Sequence, residues 1–208
     1  MKIRQQIGDK SGEASTWNAL ANIDLKKGDN NSARENFEVA LKIRQQIGDK
    51  SGEASTLNDL ATIDITHGEY AMARETLEKS MKIEQQIGDR SGEASTLHNL
   101  ATIDMREGKY DSAHTKFEKA IIIMRQIGDK NHEAATLHQL ATIDLNQGEY
   151  VSARENFETA LKIEQEIGDR SDEASTWHQL ATIDLNQGKL ELAREKFETA
   201  LKIKAGDW

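Results

Sequence analysis

Ile47-Gly48-Asp49-Lys50 is the stretch whose reading decides the fold. The same places carry Ile7-Gly8-Asp9-Lys10, Ile87-Gly88-Asp89-Arg90, Ile127-Gly128-Asp129-Lys130 and Ile167-Gly168-Asp169-Arg170, so the signature returns every 40 residues without insertion. A fixed period of this length marks an architecture in which each repeat is one supersecondary unit stacked on the next. The expected organisation is one continuous domain of five repeats, 8–47, 48–87, 88–127, 128–167 and 168–208, preceded at 1–7 by part of an earlier repeat's second helix.

Working outward within 48–87, Ala54, Leu57, Leu60, Ala61 and Ile63 recur at spacings of three and four, which predicts one face of a helix of about four turns, helix A. Gly68 interrupts that pattern, as Gly28, Gly108, Gly148 and Gly188 do in the other units, in the manner of a left-handed residue closing a helix. Ala73, Leu77, Ser80, Met81, Ile83 and Ile87 then give the inner face of helix B, which stops at Gly88, and Asp89 or Ser91 can cap the next helix A. Proline is absent and no stretch alternates as a strand does, so the whole reads as helices and short turns. One such hairpin exposes too much apolar surface to stand alone and must gain stability by stacking, which places function on surfaces rather than in a pocket.

Composition narrows the function. Across 208 residues, 30% are charged and only 5% aromatic, which suits a thin core shared between units better than one large central core. A net charge of −9 argues against tracking phosphates, so nucleic acid is not an expected partner. Cysteine is absent, no apolar run approaches the ~20 residues of a membrane span, and Met1-Lys2-Ile3-Arg4 opens no signal peptide, so the expectation is a cytoplasmic chain with no membrane partner. Asn30-Asn31-Ser32 matches a glycosylation sequon that such a location leaves unused.

The side-chain sizes spell a known signature. Trp17, Leu20 and Ala21 fall on helix A, Gly28 in the turn, and Ala33, Phe37 and Ala40 on helix B. The later units repeat this, ending with Trp177, Leu180, Ala181, Ala193, Phe197 and Ala200. The pattern resembles the tetratricopeptide repeat. That resemblance implies an all-α, right-handed superhelical solenoid of antiparallel helix hairpins, with a concave groove lined by the A helices. The usual unit has about 34 residues. The longer unit here is similar to the repeats of spindle-orientation adaptors, kinesin light chains and many bacterial signalling proteins. A second departure is electrostatic. Asp24, Asp64, Asp104, Asp144 and Asp184 stand where the family usually has an aromatic, and Arg34, Arg74, His114, Arg154 and Arg194 where it has an aliphatic. An Asp–Arg pair within a hairpin or between neighbours is the preferred reading, with solvated charges as the alternative.

Catalysis and cofactor binding find little support. Gly48-Asp49-Lys50-Ser51-Gly52 lacks the order and the preceding strand of a phosphate loop, and reads as a connector between helices. His98, His138 and His178 share one place with Asn18 and Asn58, but a ladder with one member per hairpin cannot converge at the ~2 Å a zinc ion needs. No metal, cofactor or enzymatic activity is expected. By the resemblance this row faces the groove, joined by Asn22, Thr62, Thr102, Thr142 and Thr182 and by an apolar strip. Chaperone-binding members clamp a C-terminal carboxylate with Lys, Asn and Arg at these places, and only Asn22 matches, so a chaperone tail is not the expected ligand. Ile122 and Met124 stand where the other units have charged residues, and suggest an apolar contact patch.

Two functions fit. The first is a protein- or peptide-binding scaffold using the groove, through hydrogen bonds and apolar contact. The second is a structural or self-assembling module, either a consensus-like engineered array or a fragment of a larger signalling protein, and near-identity of the units favours design or recent duplication. Met1–Ile7 repeats Leu41–Ile47 and no helix A follows Phe197 and Leu201, so head-to-tail contact between molecules is expected.

Overall fold

The structure, a computed structural model, describes residues 8–206. Among these are ten α-helices: α1 (Lys10–Lys27), α2 (Asn30–Ile47), α3 (Lys50–His67), α4 (Tyr70–Ile87), α5 (Arg90–Arg106), α6 (Tyr110–Ile127), α7 (Lys130–Gln147), α8 (Tyr150–Ile167), α9 (Arg170–Asn186) and α10 (Leu190–Ala205). No strand is found among the described residues. The expected end of a preceding repeat's second helix at residues 1–7 lies outside them.

The helices are longer than the apolar pattern alone suggests, because polar residues open them. α3 spans 18 residues, five turns rather than four, since Asp49 caps it from just before Lys50: its carboxylate accepts from the Gly52 amide at 3.0 Å. Of the two candidate caps for α5, Asp89 takes the role, accepting from the Gly92 amide at 2.9 Å. The Lys-Ser-Gly stretch read as a connector is therefore the first helical turn. The connection itself shrinks to Gly48 and Asp49. Gly48 sits at φ 71°, where a side chain would strain the backbone, and its neighbour's amide donates back to the Arg44 carbonyl at 2.9 Å.

The chain divides inside α5 into two compact units, Met1–Ile103 and Asp104–Trp208. In the first, α1 packs on α2 and α3 on α4 as hairpins, and α2 also packs on α3. In the second, α7 packs on α8 and α9 on α10, while α6 meets α7 and α8 meets α9. Each junction has the same content. Phe37 on α2 is sealed by Leu60 and Ile63 on α3, and Leu77 on α4 by Leu100 and Ile103 on α5. In the second unit Phe157 and Leu161 on α8 are sealed by Leu180 and Ile183 on α9. Where a hairpin precedes it, a helix A is thus buried on two sides, against its own helix B and against the one before, not on the single face the spacing indicated.

Charges fasten the same junctions. Arg34 on α2 pairs with Asp64 on α3, and Arg154 on α8 with Asp184 on α9 at 2.6 Å. His114 on α6 takes that place against Asp144 on α7, 3.6 Å away. The aspartates are interior, with Asp64 and Asp184 each 1% exposed, so the ladder joins adjacent hairpins and is not a solvated surface feature. A second donor comes from within the hairpin: Asn36 to Asp24 at 2.8 Å, Asn156 to Asp144 at 3.0 Å, Lys116 to Asp104, and Lys196 to Asp184. Burial pushes the Asp184 carboxyl up, but the hydrogen bonds and charges of Lys196 and Arg154 together hold it below the usual carboxylate range.

The proposed patch of Ile122 and Met124 is corrected by the packing. Ile122 is 54% exposed, whereas Met124 is 1% exposed and accepts a hydrogen bond from Thr136 at 3.4 Å through its sulfur. Its place in the repeat is interior: Glu84 and Glu164 are also buried there, and Arg44 is largely so. The charged residues of the other units suggest a surface place, but Arg44, Glu84 and Glu164 are hydrogen-bonded inside their junctions instead of being solvated.

Candidate ligand-binding face

Buried stripes on both sides leave α3, α7 and α9 a narrow line of accessible side chains. On α3 Ser55, Thr62 and Thr66 are exposed and Asn58 and Asp59 half-buried, while Ala54, Leu57, Leu60, Ala61, Ile63, Asp64 and Ile65 are buried. The accessible places are three or four apart, hence on one side of the helix. The predicted row lies along this line. In the first unit Asn22 and Thr62 are exposed and Asn18, Asn58, His98 and Thr102 half-buried; in the second His178 is exposed and His138, Thr142 and Thr182 half-buried.

The row is less free than its composition suggests. Thr62, Thr102, Thr142 and Thr182 donate to the carbonyls of Asn58, His98, His138 and His178 at 2.8–3.0 Å, and Asn22 donates to that of Asn18 at 3.0 Å. Asn58 belongs to an interior network rather than to the surface. Its amide nitrogen lies 2.8 Å from Glu84 and 2.9 Å from Ser80 and Thr96, and its oxygen accepts from Asn99 at 3.3 Å. Burial pushes the Glu84 carboxyl up, opposed by hydrogen bonds from Thr96, Ser80 and Asn58.

The histidines turn their rings toward helix B. His138 meets Phe157 edge-on with centroids 5.0 Å apart, and His178 meets Phe197 at 4.9 Å. Burial pulls the His138 pKa below its ordinary value, partly offset by the charge of Asp172, so the ring is neutral near pH 7. Two carboxylates went unnoticed in the sequence. Asp59, beside the row, is pushed up to about 6 by burial, against a hydrogen bond from Asn18 and the charge of Arg44. Glu164, buried at the α8–α9 junction, is pushed up to about 7, chiefly by burial, with Asp172, Asp169 and Glu173 adding to the effect and a Thr176 hydrogen bond opposing it. A signal existed for the second: Thr56, Thr96, Thr136 and Thr176 recur in phase with the buried face of helix A, where a hydroxyl invites a polar neighbour on the preceding helix.

No cluster of three or more potential metal ligands occurs among the described residues, and no helix there is long and apolar enough to cross a membrane.

Hairpins of this geometry, with small residues at the close contacts and a single accessible line per helix A, define a helical-repeat scaffold. A model of the tetratricopeptide repeat matches residues 12–86, 92–163 and 133–205. The chain belongs to the tetratricopeptide repeat family. Similar solved structures include BtubC (BKLC) from P. vanneervenii, at 20% identity and TM-score 0.80, covering 99% of this chain and 92% of that one. Aspartyl phosphate phosphatase F from Bacillus subtilis is similar at 16% identity and TM-score 0.83, covering 99% of this chain and 55% of that one. A Rap protein complexed with competence and sporulation factor is similar at 17% identity and TM-score 0.79, covering 93% and 54%. No curated sequence relative matches.

Proposed function

We propose that the chain is a non-catalytic, cytoplasmic scaffold that binds a protein or peptide along the accessible line of its A helices. The observation that carries this reading is the burial pattern of α3, where everything but that line is consumed by packing. A neighbour in fold, the Rap protein, is complexed with competence and sporulation factor, which supports protein or peptide ligands for this architecture. Asn22 and Thr62 in the first unit and His178 in the second are the exposed members of the row and make first contact. Asp59 adds one acidic group to an otherwise uncharged surface, so the first unit favours a ligand with a single basic or hydrogen-bond-donating residue. Selection of a displayed random peptide library on the whole chain tests this. Selected peptides lose affinity when Asn22→Arg and Thr62→Arg are introduced together, with helical content unchanged. Peptides indifferent to those changes but lost with Ile122→Lys place the site on the opposite helices and overturn the reading.

A further inference from the structure

Helices α8 and α10 carry the same residues at the places that meet a following helix: Phe157 and Phe197, Leu161 and Leu201, Arg154 and Arg194. On α8 these are covered by α9. Phe157 is 0% and Leu161 7% exposed, packed with Trp177, Leu180 and Ile183, and Arg154 holds Asp184. On α10 they are open. Leu201 is 66% exposed, Phe197 is half-buried beside a cavity of about 300 Å³ that it shares with His178, Leu201 and Lys204, and Arg194 pairs along its own helix with Glu198 at 3.2 Å.

Helix α1 carries the complement. Trp17, Leu20, Ile23 and Asp24 are letter for letter Trp177, Leu180, Ile183 and Asp184. Leu20 and Ile23 are 36% and 48% exposed, whereas Leu180 and Ile183 are 1% and 0%. Asp24 is held by Asn36 and, at 4.0 Å, by Lys27, both of its own hairpin.

We propose that the open face of α10 docks α1 of a second copy, residue for residue as α8 docks α9, with Arg194 of one copy against Asp24 of the other. A second copy is the occupant because it brings both the apolar set and the charge already shown to fit this surface inside the molecule; an unrelated helix would have to reproduce both. The contact joins two different surfaces, so it leaves one of each kind free and can propagate. The association is between separate copies and therefore concentration-dependent. Leu201, Arg194, Ile23 and Asp24 take no part in the ligand-facing row, so this inference and the proposed function fail separately.

Sedimentation velocity on the full chain tests it, across a series from ~10 µM to ~1 mM in which a weak, non-closing interface shows itself. Wild type forms species that grow with concentration. Leu201→Glu and Ile23→Glu each remain monomeric, and their equimolar mixture forms a dimer and nothing larger, because one variant retains an intact α1 and the other an intact α10. Arg194→Asp weakens association roughly tenfold, and mixing it with Asp24→Arg restores it. Monomeric wild type throughout, single variants that still associate, or a mixture that stays monomeric each overturn the proposal. Circular dichroism confirms that the variants fold, and if a glutamate unfolds the chain, Leu201→Ser and Ile23→Ser are read the same way.

Discussion

Replacing Glu164 by Gln isolates the cost of ionising a carboxylate inside the α8–α9 junction. Glu164 is 2% exposed; one oxygen accepts from Thr176 at 2.9 Å and the other, buried, has no partner among the described residues. Its pKa is about 7, against 4.5 for the free side chain. Because the folded value is raised, the group's favourable contribution is complete below the unfolded value and is lost as pH rises through the folded one. The window therefore runs from 4.5 to about 7. At ~1.4 kcal/mol for each pH unit of that window, the loss between about pH 5 and pH 8 is at most about 2.5 kcal/mol, and roughly 1–2 once solvent and neighbouring dipoles respond. Gln keeps the shape and the Thr176 partner but never ionises, so Glu164→Gln should match wild type at about pH 5 and exceed it by roughly 1–2 kcal/mol at about pH 8. For a chain of this size that is ~2–8 °C in Tm. Glu164→Met should behave likewise, since Met124 already fills the corresponding place against Thr136. Glu84→Gln should show a smaller difference, because Glu84 accepts from Thr96 through both oxygens, at 3.0 and 2.8 Å, and so has no orphaned atom. Thermal melts of the four chains at the two pH values decide the matter. A wild-type-to-variant difference independent of pH would refute the reasoning, since it would mean that Glu164 ionises in the fold as easily as in the unfolded chain.

A double-mutant cycle on Arg34→Ala and Asp64→Ala should give a coupling above the ~0.2–1 kcal/mol of exposed pairs, because Asp64 is 1% exposed; strict additivity in urea denaturation would count against the ladder. Met124→Lys should cost at least ~2 kcal/mol and Ile122→Lys less than ~0.5, as buried and exposed sites differ, and equal effects would contradict the interior placement of Met124. Gly52→Ala should destabilise the α2–α3 junction by about 1 kcal/mol or more, since its Cβ would collide with the capping Asp49 carboxylate and stand 2.8 Å from Arg44, disturbing the cap and the Arg44 bonds to Thr56 and the Gly52 carbonyl; an unchanged melting temperature would contradict this close packing. His138, lowered by burial, should charge only below its ordinary 6.5, and stability carried by its neutral form should fall with pH only below that value, which NMR titration of its ring checks directly.

The 40-residue period, the glycine punctuation and the small–large alternation settled the helical-hairpin repeat from letters alone, because backbone conformation and helix periodicity are local properties. The pairing of aspartate with arginine was legible as a joint substitution, but not its direction. Only the packing shows that Arg34 reaches forward to Asp64 of the next hairpin and that the ladder bridges junctions. What the letters misplaced are the polar residues whose burial depends on a second helix. The letters put Met124 on the surface because Glu84, Glu164 and Arg44 share its place, and the family resemblance puts Asn58 in the groove with His98, His138 and His178. In the structure Asn58 is half-buried against the next hairpin and Met124 is covered completely. Sequence determines which side of a helix a residue takes; whether that side meets water or another hairpin is decided only when the hairpins stack, since desolvation belongs to the pair of surfaces and not to either one.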